Sequence, residues 1–282
     1  MSTAVPVPQT GGTPRQRTNR AWLYVAAILL TLFMLLPIYL ITIAAFSPRA
    51  AISAFPKALV PTEFSTETLL FFLRSTGVAR AARNSVIVGL LTLLLSLVLG
   101  APAGYALARF GFRGRDTFKV LILSTRAFPI VILSIPLAVT FISWRLYDTV
   151  LAVALAHTAL ALPTTILVTS SIFVSVPKDV EEAALTLGCT PFGAFWRVVL
   201  PLALPGLTAS AIFTFVLSWN EVFAATILTV RNRTLPAHVL STLNDSPLPF
   251  RFAGGFALVV PSLIFIFFMR GYLLNMWGRV TK

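Results

Sequence analysis

Six stretches of this chain run for about 20 residues or more with few charges, the length a helix needs to cross a hydrocarbon core about 30 Å thick. That feature sets the solvent for the fold, because apolar residues arriving as long runs rather than periodic stripes leave no polar face to turn to water. Composition agrees: 57% of the residues are hydrophobic and 11% charged, where soluble domains carry about 25% charged residues. The fold class expected is all-α, a polytopic transmembrane helix bundle.

The runs predict spans over approximately Trp22–Phe46, Asn84–Ala108, Phe118–Ile142, Thr149–Phe173, Leu200–Leu228 and Phe252–Trp277. Residues 1–20, rich in Pro, Thr, Gly and Arg, read as a disordered cytoplasmic tail, with a transmembrane domain over 21–282. The apolar run from Ala21 to Phe46 exceeds the 7–15 residue core of a cleavable signal peptide, so it is expected to stay as the first span. Between spans one and two, Ser47–Arg83 carries Pro48, Pro56 and Pro61 and reads as an irregular outer segment. Interior prolines at 37, 102, 129, 136, 163, 205 and 261 predict bends that neighbouring helices must satisfy.

The net charge of +13 does not mark a nucleic-acid binder, because the basic residues sit between the apolar runs rather than forming a groove. Arg15, Arg17 and Arg20 precede span one, and Arg109, Arg113, Arg115 and Lys119 follow span two. Only Arg145 lies in the turn after span three. This bias puts both termini in the cytoplasm, Arg279 and Lys282 included, although Arg49, Lys57, Arg74, Arg80, Arg83, Arg231, Arg233 and Arg251 weaken it from the outer side. Cys189 is the only cysteine, which excludes an internal disulfide and a thiolate metal cluster.

The loop between spans four and five, 174–201, has the composition of a protruding helix pair. Pro177 and Asp179 open a helix, Glu181 and Glu182 lie in its first turn, and Ala183, Ala184, Leu185 and Leu187 give it a small apolar face. Gly188 suits a left-handed cap, and a second short helix after Thr190 and Pro191 would present Phe192, Phe195 and Trp196. An apolar face in that position needs cover: lipid, if the helix lies at the interface, or a partner protein.

One spacing favours the partner. Glu182-Ala183-Ala184, three residues, Gly188, nine residues, Val198, one residue and Leu200-Pro201 resembles the EAA loop of ATP-binding-cassette importer permeases. Asn84-Ser85, Gly104-Tyr-Ala-Leu-Ala-Arg109, Ile135-Pro136, Trp219-Asn220-Glu221 and Pro261 are similar to the carbohydrate-importing, maltose-type branch over about residues 20–277. The tail departs from that branch, reading Leu274-Asn-Met-Trp-Gly-Arg-Val-Thr-Lys282.

The resemblance implies a multi-pass protein of the bacterial inner membrane. It also implies a sister permease, an ATPase homodimer and an extracytoplasmic solute-binding protein as partners, with membrane lipid around them. It assigns Glu181, Glu182, Ala183, Ala184, Leu185, Gly188, Thr190, Pro191, Phe192, Leu200 and Pro201 to ATPase coupling. No G-x-x-x-x-G-K-[ST] phosphate loop occurs in this chain, so ATP and Mg belong to the partner ATPase and no cofactor is expected here. Neither a nucleophile–base arrangement nor metal-ligand spacing is present, so no enzyme activity is expected.

Ionisable groups at membrane depth point to function by default. Arg126 and Glu221 qualify, with Trp219 and Asn220 beside the latter, as candidates for a translocation path. A straight-helix reckoning separates Arg126 and Glu221 by roughly 16 Å in depth, so separate partners are expected. Glu221 reads equally as a helix-packing contact, and His157 as a satisfied helix-contact histidine. Two further readings stay open: an ion-gradient-driven transporter relaying through Arg126, His157 and Glu221, and an importer of the same class for glycerol 3-phosphate or peptide.

Overall fold

The computed structural model describes residues 14–55, 59–60 and 63–278, with side chains described from 22 to 268. Residues 1–13 of the tail, Pro56, Lys57, Pro61 and Arg279–Lys282 therefore lie outside the described residues, as do the side chains of Arg15, Arg17 and Arg20. All regular structure among the described residues is helical: α1 (Pro14–Ala45), α2 (Arg49–Ser53), α3 (Glu67–Arg74), α4 (Val78–Arg109), α5 (Arg115–Ser124), α6 (Ile130–Ser143), α7 (Val150–Ser175), α8 (Lys178–Thr186), α9 (Pro191–Ala194), α10 (Leu200–Asn220), α11 (Phe223–Leu228), α12 (Leu235–Thr242) and α13 (Leu248–Gly278).

Five helices are long and apolar enough to cross a membrane, and a sixth crossing arises if the bent pair α5–α6 counts as one span. The third span is thus not the continuous helix expected over Phe118–Ile142. It breaks by 85° between Arg115–Ala127 and Ile130–Ser143. The cause is Pro129, which cannot donate a backbone bond and pushes Phe128 into extended geometry (φ −80°, ψ 119°). The other interior prolines, Pro37, Pro102, Pro136, Pro163, Pro205 and Pro261, lie inside continuous helices.

Three other boundaries move. The first helix starts at Pro14, inside the stretch expected to be disordered. The outer segment is not irregular throughout: it holds α2 and α3, tied by an Arg49–Glu67 ion pair at 3.1 Å and by Thr68 donating to the Ser47 carbonyl. The fifth span runs Pro191–Asn220 rather than Leu200–Leu228, because α9 continues into α10 and the chain leaves the helix at Glu221.

The centre of the bundle is α4 against α7, with α10 across both. Their approach depends on small residues. At Gly104 an added Cβ would lie 2.8 Å from the Ser170 nitrogen and 2.9 Å from the Ile166 oxygen, both α7 backbone. Thr169 donates to the Gly100 carbonyl at 3.1 Å, and Thr165 meets Thr214 of α10 at 3.2 Å. Phe173, Phe195, Val199 and Ala203 fill the core at the α8 end, whereas Val88, Phe141, Ala224 and Leu228 fill it at the other. Helix α1 packs along α13 and leaves the rest of its apolar surface outward, as lipid permits and water does not.

Candidate functional site

The loop 174–201 begins where α7 ends at Ser175. Helix α8 follows Pro177 with Asp179 and Glu181 in its first turn, where the positive helix end favours them. It stops in a Schellman motif: the Cys189 N–H donates to the Ala184 carbonyl and the Gly188 N–H to the Leu185 carbonyl, each at 3.0 Å. Gly188 takes φ +89°, a conformation other residues reach only with strain, and open space surrounds the position its Cβ would occupy. The Thr190 hydroxyl then caps the next helix by accepting from the Gly193 N–H at 3.1 Å, with Pro191 at its first position.

The second helix is not a separate short one. A five-residue π turn, Phe195–Val199, joins α9 directly to α10, so the loop's return leg is the start of span five. This also redistributes the expected aromatic face. Phe192 and Trp196 are exposed, but Phe195 is buried against Tyr105 and Phe173, with ring centroids 4.6 and 5.9 Å away.

The adjacent acidic residues Glu181 and Glu182 of α8 face different surroundings. Glu182 is exposed, as are Ala183, Leu185, Pro191 and Pro201, while Ala184 is buried and Leu200 half-buried. Glu181 turns inward, where its carboxylate accepts from the Arg109 Nε–H at 2.7 Å and from the Tyr105 hydroxyl. Glu181 is thus held by this chain's own cation. The run Gly104–Arg109 carries the other half of the site. The signal available in sequence was a Tyr and an Arg one helical turn apart, facing an acidic first turn.

The membrane-depth residues divide in the same way. Glu221 is buried, and both its oxygens are engaged within the chain. Oε2 meets His157 Nε2 at 2.9 Å, and Oε1 and Oε2 accept the Ala224 and Ala225 N–H groups at 2.9 and 3.2 Å, capping α11. His157 Nδ1 continues to Ser218 at 2.9 Å, and Ser218 donates to Thr92, so one polar chain links α7, α10 and α4. Trp219 is likewise buried and donates to the Leu258 carbonyl at 3.0 Å. Asn220 and Arg126 are exposed; Asn220 donates to the Val216 carbonyl, and Arg126 sits on the turn at the break in span three. The structure does not pair Arg126 with Glu221. It unites Glu221 with His157.

At the opposite end of the bundle a second cluster ties loops together. Asp148 Oδ1 accepts the Val230, Arg231 and Asn232 N–H groups at 2.8, 2.9 and 3.0 Å. Burial alone would raise the Asp148 carboxyl, but these backbone donors and the Arg231 charge outweigh it and hold the group below its usual range. Asn84 and Ser85 anchor the same region to α4: Asn84 donates to the Arg233 carbonyl and Ser85 accepts the Leu235 N–H.

Residues 96–274 match the family described as the binding-protein-dependent transport system inner membrane component. The chain belongs to that family. This multi-pass inner-membrane permease is 31% identical over 240 residues to the trehalose transport system permease protein SugB of Mycobacterium tuberculosis, covering 83% of this chain and 87% of that one. It is 32% identical over 243 residues to the diacetylchitobiose uptake system permease protein NgcG of Streptomyces coelicolor, covering 84% and 80%. In fold it resembles a chain of a bacterial ABC transporter that imports the acidic polysaccharide alginate, with a TM-score of 0.71 and 21% identity, covering 94% of this chain and 98% of that one.

Proposed function

We propose that this permease forms, with a sister subunit, the membrane path for a sugar, oligosaccharide or polyol, and that its 174–201 loop couples the path to a separate ATPase dimer. One observation carries the reading. An exposed two-helix loop with an open Gly188 corner stands at one end of the bundle, and its return leg is continuous with span five. A partner that pushes on Phe192 and Trp196 therefore pushes on α10 directly. Nucleotide binding would draw two such loops together and rock the bundles to face outward, and hydrolysis would reset them.

The sugar assignment rests on the relatives named above, whose designations specify trehalose and diacetylchitobiose. In this reading an extracytoplasmic binding protein delivers the solute, both termini are cytoplasmic, and residues 21–282 form the permease domain. Exposed Asn220 and Arg126 are the stronger candidates for the path or the sister interface, since a polar side chain exposed at membrane depth needs polar cover. The relay that an ion-driven transporter would require is not assembled, because Arg126 bonds neither His157 nor Glu221 among the described residues.

The test is recovery of a stoichiometric ATPase with the affinity-purified chain, expressed with its cognate subunits. Gly188→Trp and Glu182→Lys are expected to leave membrane insertion intact and to abolish ATPase recovery. Normal recovery with both variants would remove the loop from the coupling, and a lone homo-oligomer active in transport would overturn the whole reading.

A further inference from the structure

Helix α8 is short, buries only Ala184 among its side chains, and packs its backbone mainly against α9 and the π turn. That packing ties α8 to the return leg of the loop. A cluster drawn from the end of α4 ties it to the outgoing leg as well. The Arg109 Nε–H donates to Glu181 at 2.7 Å, and its terminal nitrogen donates to the Val176 carbonyl at 3.0 Å, across the elbow between α7 and α8. The Tyr105 hydroxyl donates to the other Glu181 oxygen, and its ring meets Phe173 of α7 at 5.6 Å and Phe195 of the π turn at 4.6 Å. The paired charges are largely shielded, with side-chain exposures of 7% for Arg109 and 15% for Glu181.

We infer that Arg109, Glu181 and Tyr105 form a clamp that makes α8 one rigid body with spans two and four, so that a push on the loop turns the bundle instead of bending the elbow. The inference rests on the coupling role proposed above and adds the residues that transmit the force inside this chain. Arg109 is a positioning residue: it meets no solute or nucleotide, and it acts through Glu181 and the Val176 carbonyl. Three features support transmission over simple packing. The contact is shielded from water, so screening weakens it little. It is multidentate, which fixes an angle as well as a distance. And it spans four segments, α4, α7, α8 and the π turn, at the elbow where the loop leaves span four. The π turn on the return leg complements it. One leg of the loop is clamped, and the other enters span five through a wider helical turn of the kind often found at functional sites.

The experiment places spin labels at Val174→Cys on α7 and Thr186→Cys on α8, with Cys189→Ser to remove the native thiol. The chain is assembled with its sister permease and ATPase, and the label separation is measured without nucleotide and with ATP plus vanadate. In the parent a single narrow separation is expected, unchanged between the two conditions. Arg109→Gln is expected to lose that narrow distribution, and Tyr105→Phe, which keeps the ring packing and removes one hydroxyl, to broaden it less. The charge exchange Arg109→Glu with Glu181→Arg is expected to recover part of the narrowing. Solute uptake per ATP in the Arg109→Gln complex is expected to fall about tenfold, the scale on which residues between coupled sites act.

A narrow, unchanged separation in Tyr105→Phe and Arg109→Gln would overturn the clamp. If Arg109→Gln fails to insert, an unbroadened Tyr105→Phe alone overturns it. Failure of the parent chain to recover an ATPase would instead reject the coupling role, which separates the two conclusions.

Discussion

Glu221 illustrates how a single side chain can carry two readings until its neighbours are known. An acidic group at membrane depth suggests a solute path, yet here it accepts from two backbone N–H groups and meets a fully buried histidine. Glu221→Ala would leave those donors unpaired away from water, at about 1–3 kcal/mol for each stranded group. The expected outcome is a clear drop in the unfolding temperature of the purified complex, with Glu221→Gln losing less because it keeps one acceptor oxygen. Unchanged thermal stability in Glu221→Ala would return the residue to the path. Asn84, Ser85, Tyr105 and Arg109 follow the same logic in reverse. In the sequence they stand out only as part of the family resemblance, with nothing to name their partners, and each ties a distant segment to α4.

At the scale of elements, the α4–α7 pair decides how tightly the bundle closes. The Gly104 position faces α7 backbone, which cannot rotate away as a side chain can. Gly104→Ala is expected to cost about 1–3 kcal/mol by overpacking. Gly111→Ala, in a turn with nothing within 4 Å of the new methyl group, serves as the neutral comparison. Equal melting temperatures for the two variants would show that α4 and α7 can move apart freely. The lengths of apolar runs predict where helices lie, but the break at Pro129 and the run-on of α9 into α10 were not legible. Proline at a span centre is compatible with either a continuous or a broken helix, as Pro136 and Pro163 show by staying inside theirs. Which occurs depends on whether neighbouring groups satisfy the freed carbonyls.

Across the whole molecule, the two ends are built by different means: an exposed helix pair at one, and loops sewn together by Asp148 at the other. Because the folded Asp148 carboxyl lies below its usual range, its contribution is present above the ordinary carboxylate pKa and is lost as pH falls through the lower folded value. Asp148→Asn keeps the left-handed backbone tolerance needed at φ 59° while removing the charge. The parent is therefore expected to melt above Asp148→Asn at neutral pH, with the gap closing as the medium is acidified below the usual carboxylate range. A gap that does not change with pH would show that the charge contributes nothing to this end of the bundle.

The sequence by itself determined the solvent, the helical class, the approximate spans and the family resemblance, because these depend on run length and local spacing alone. It also marked Gly188 and Thr190 as the corner of the loop, since a left-handed cap and a hydroxyl cap are local devices. Only the tertiary structure decided that Glu181 faces Arg109 while Glu182 faces outward, and that Glu221 caps α11 beside His157. Those pairings join residues 72 and 64 positions apart in the chain. Hydrogen bonding acts over about 3 Å, so only the packing of α4, α7, α8 and α10 could bring such partners together.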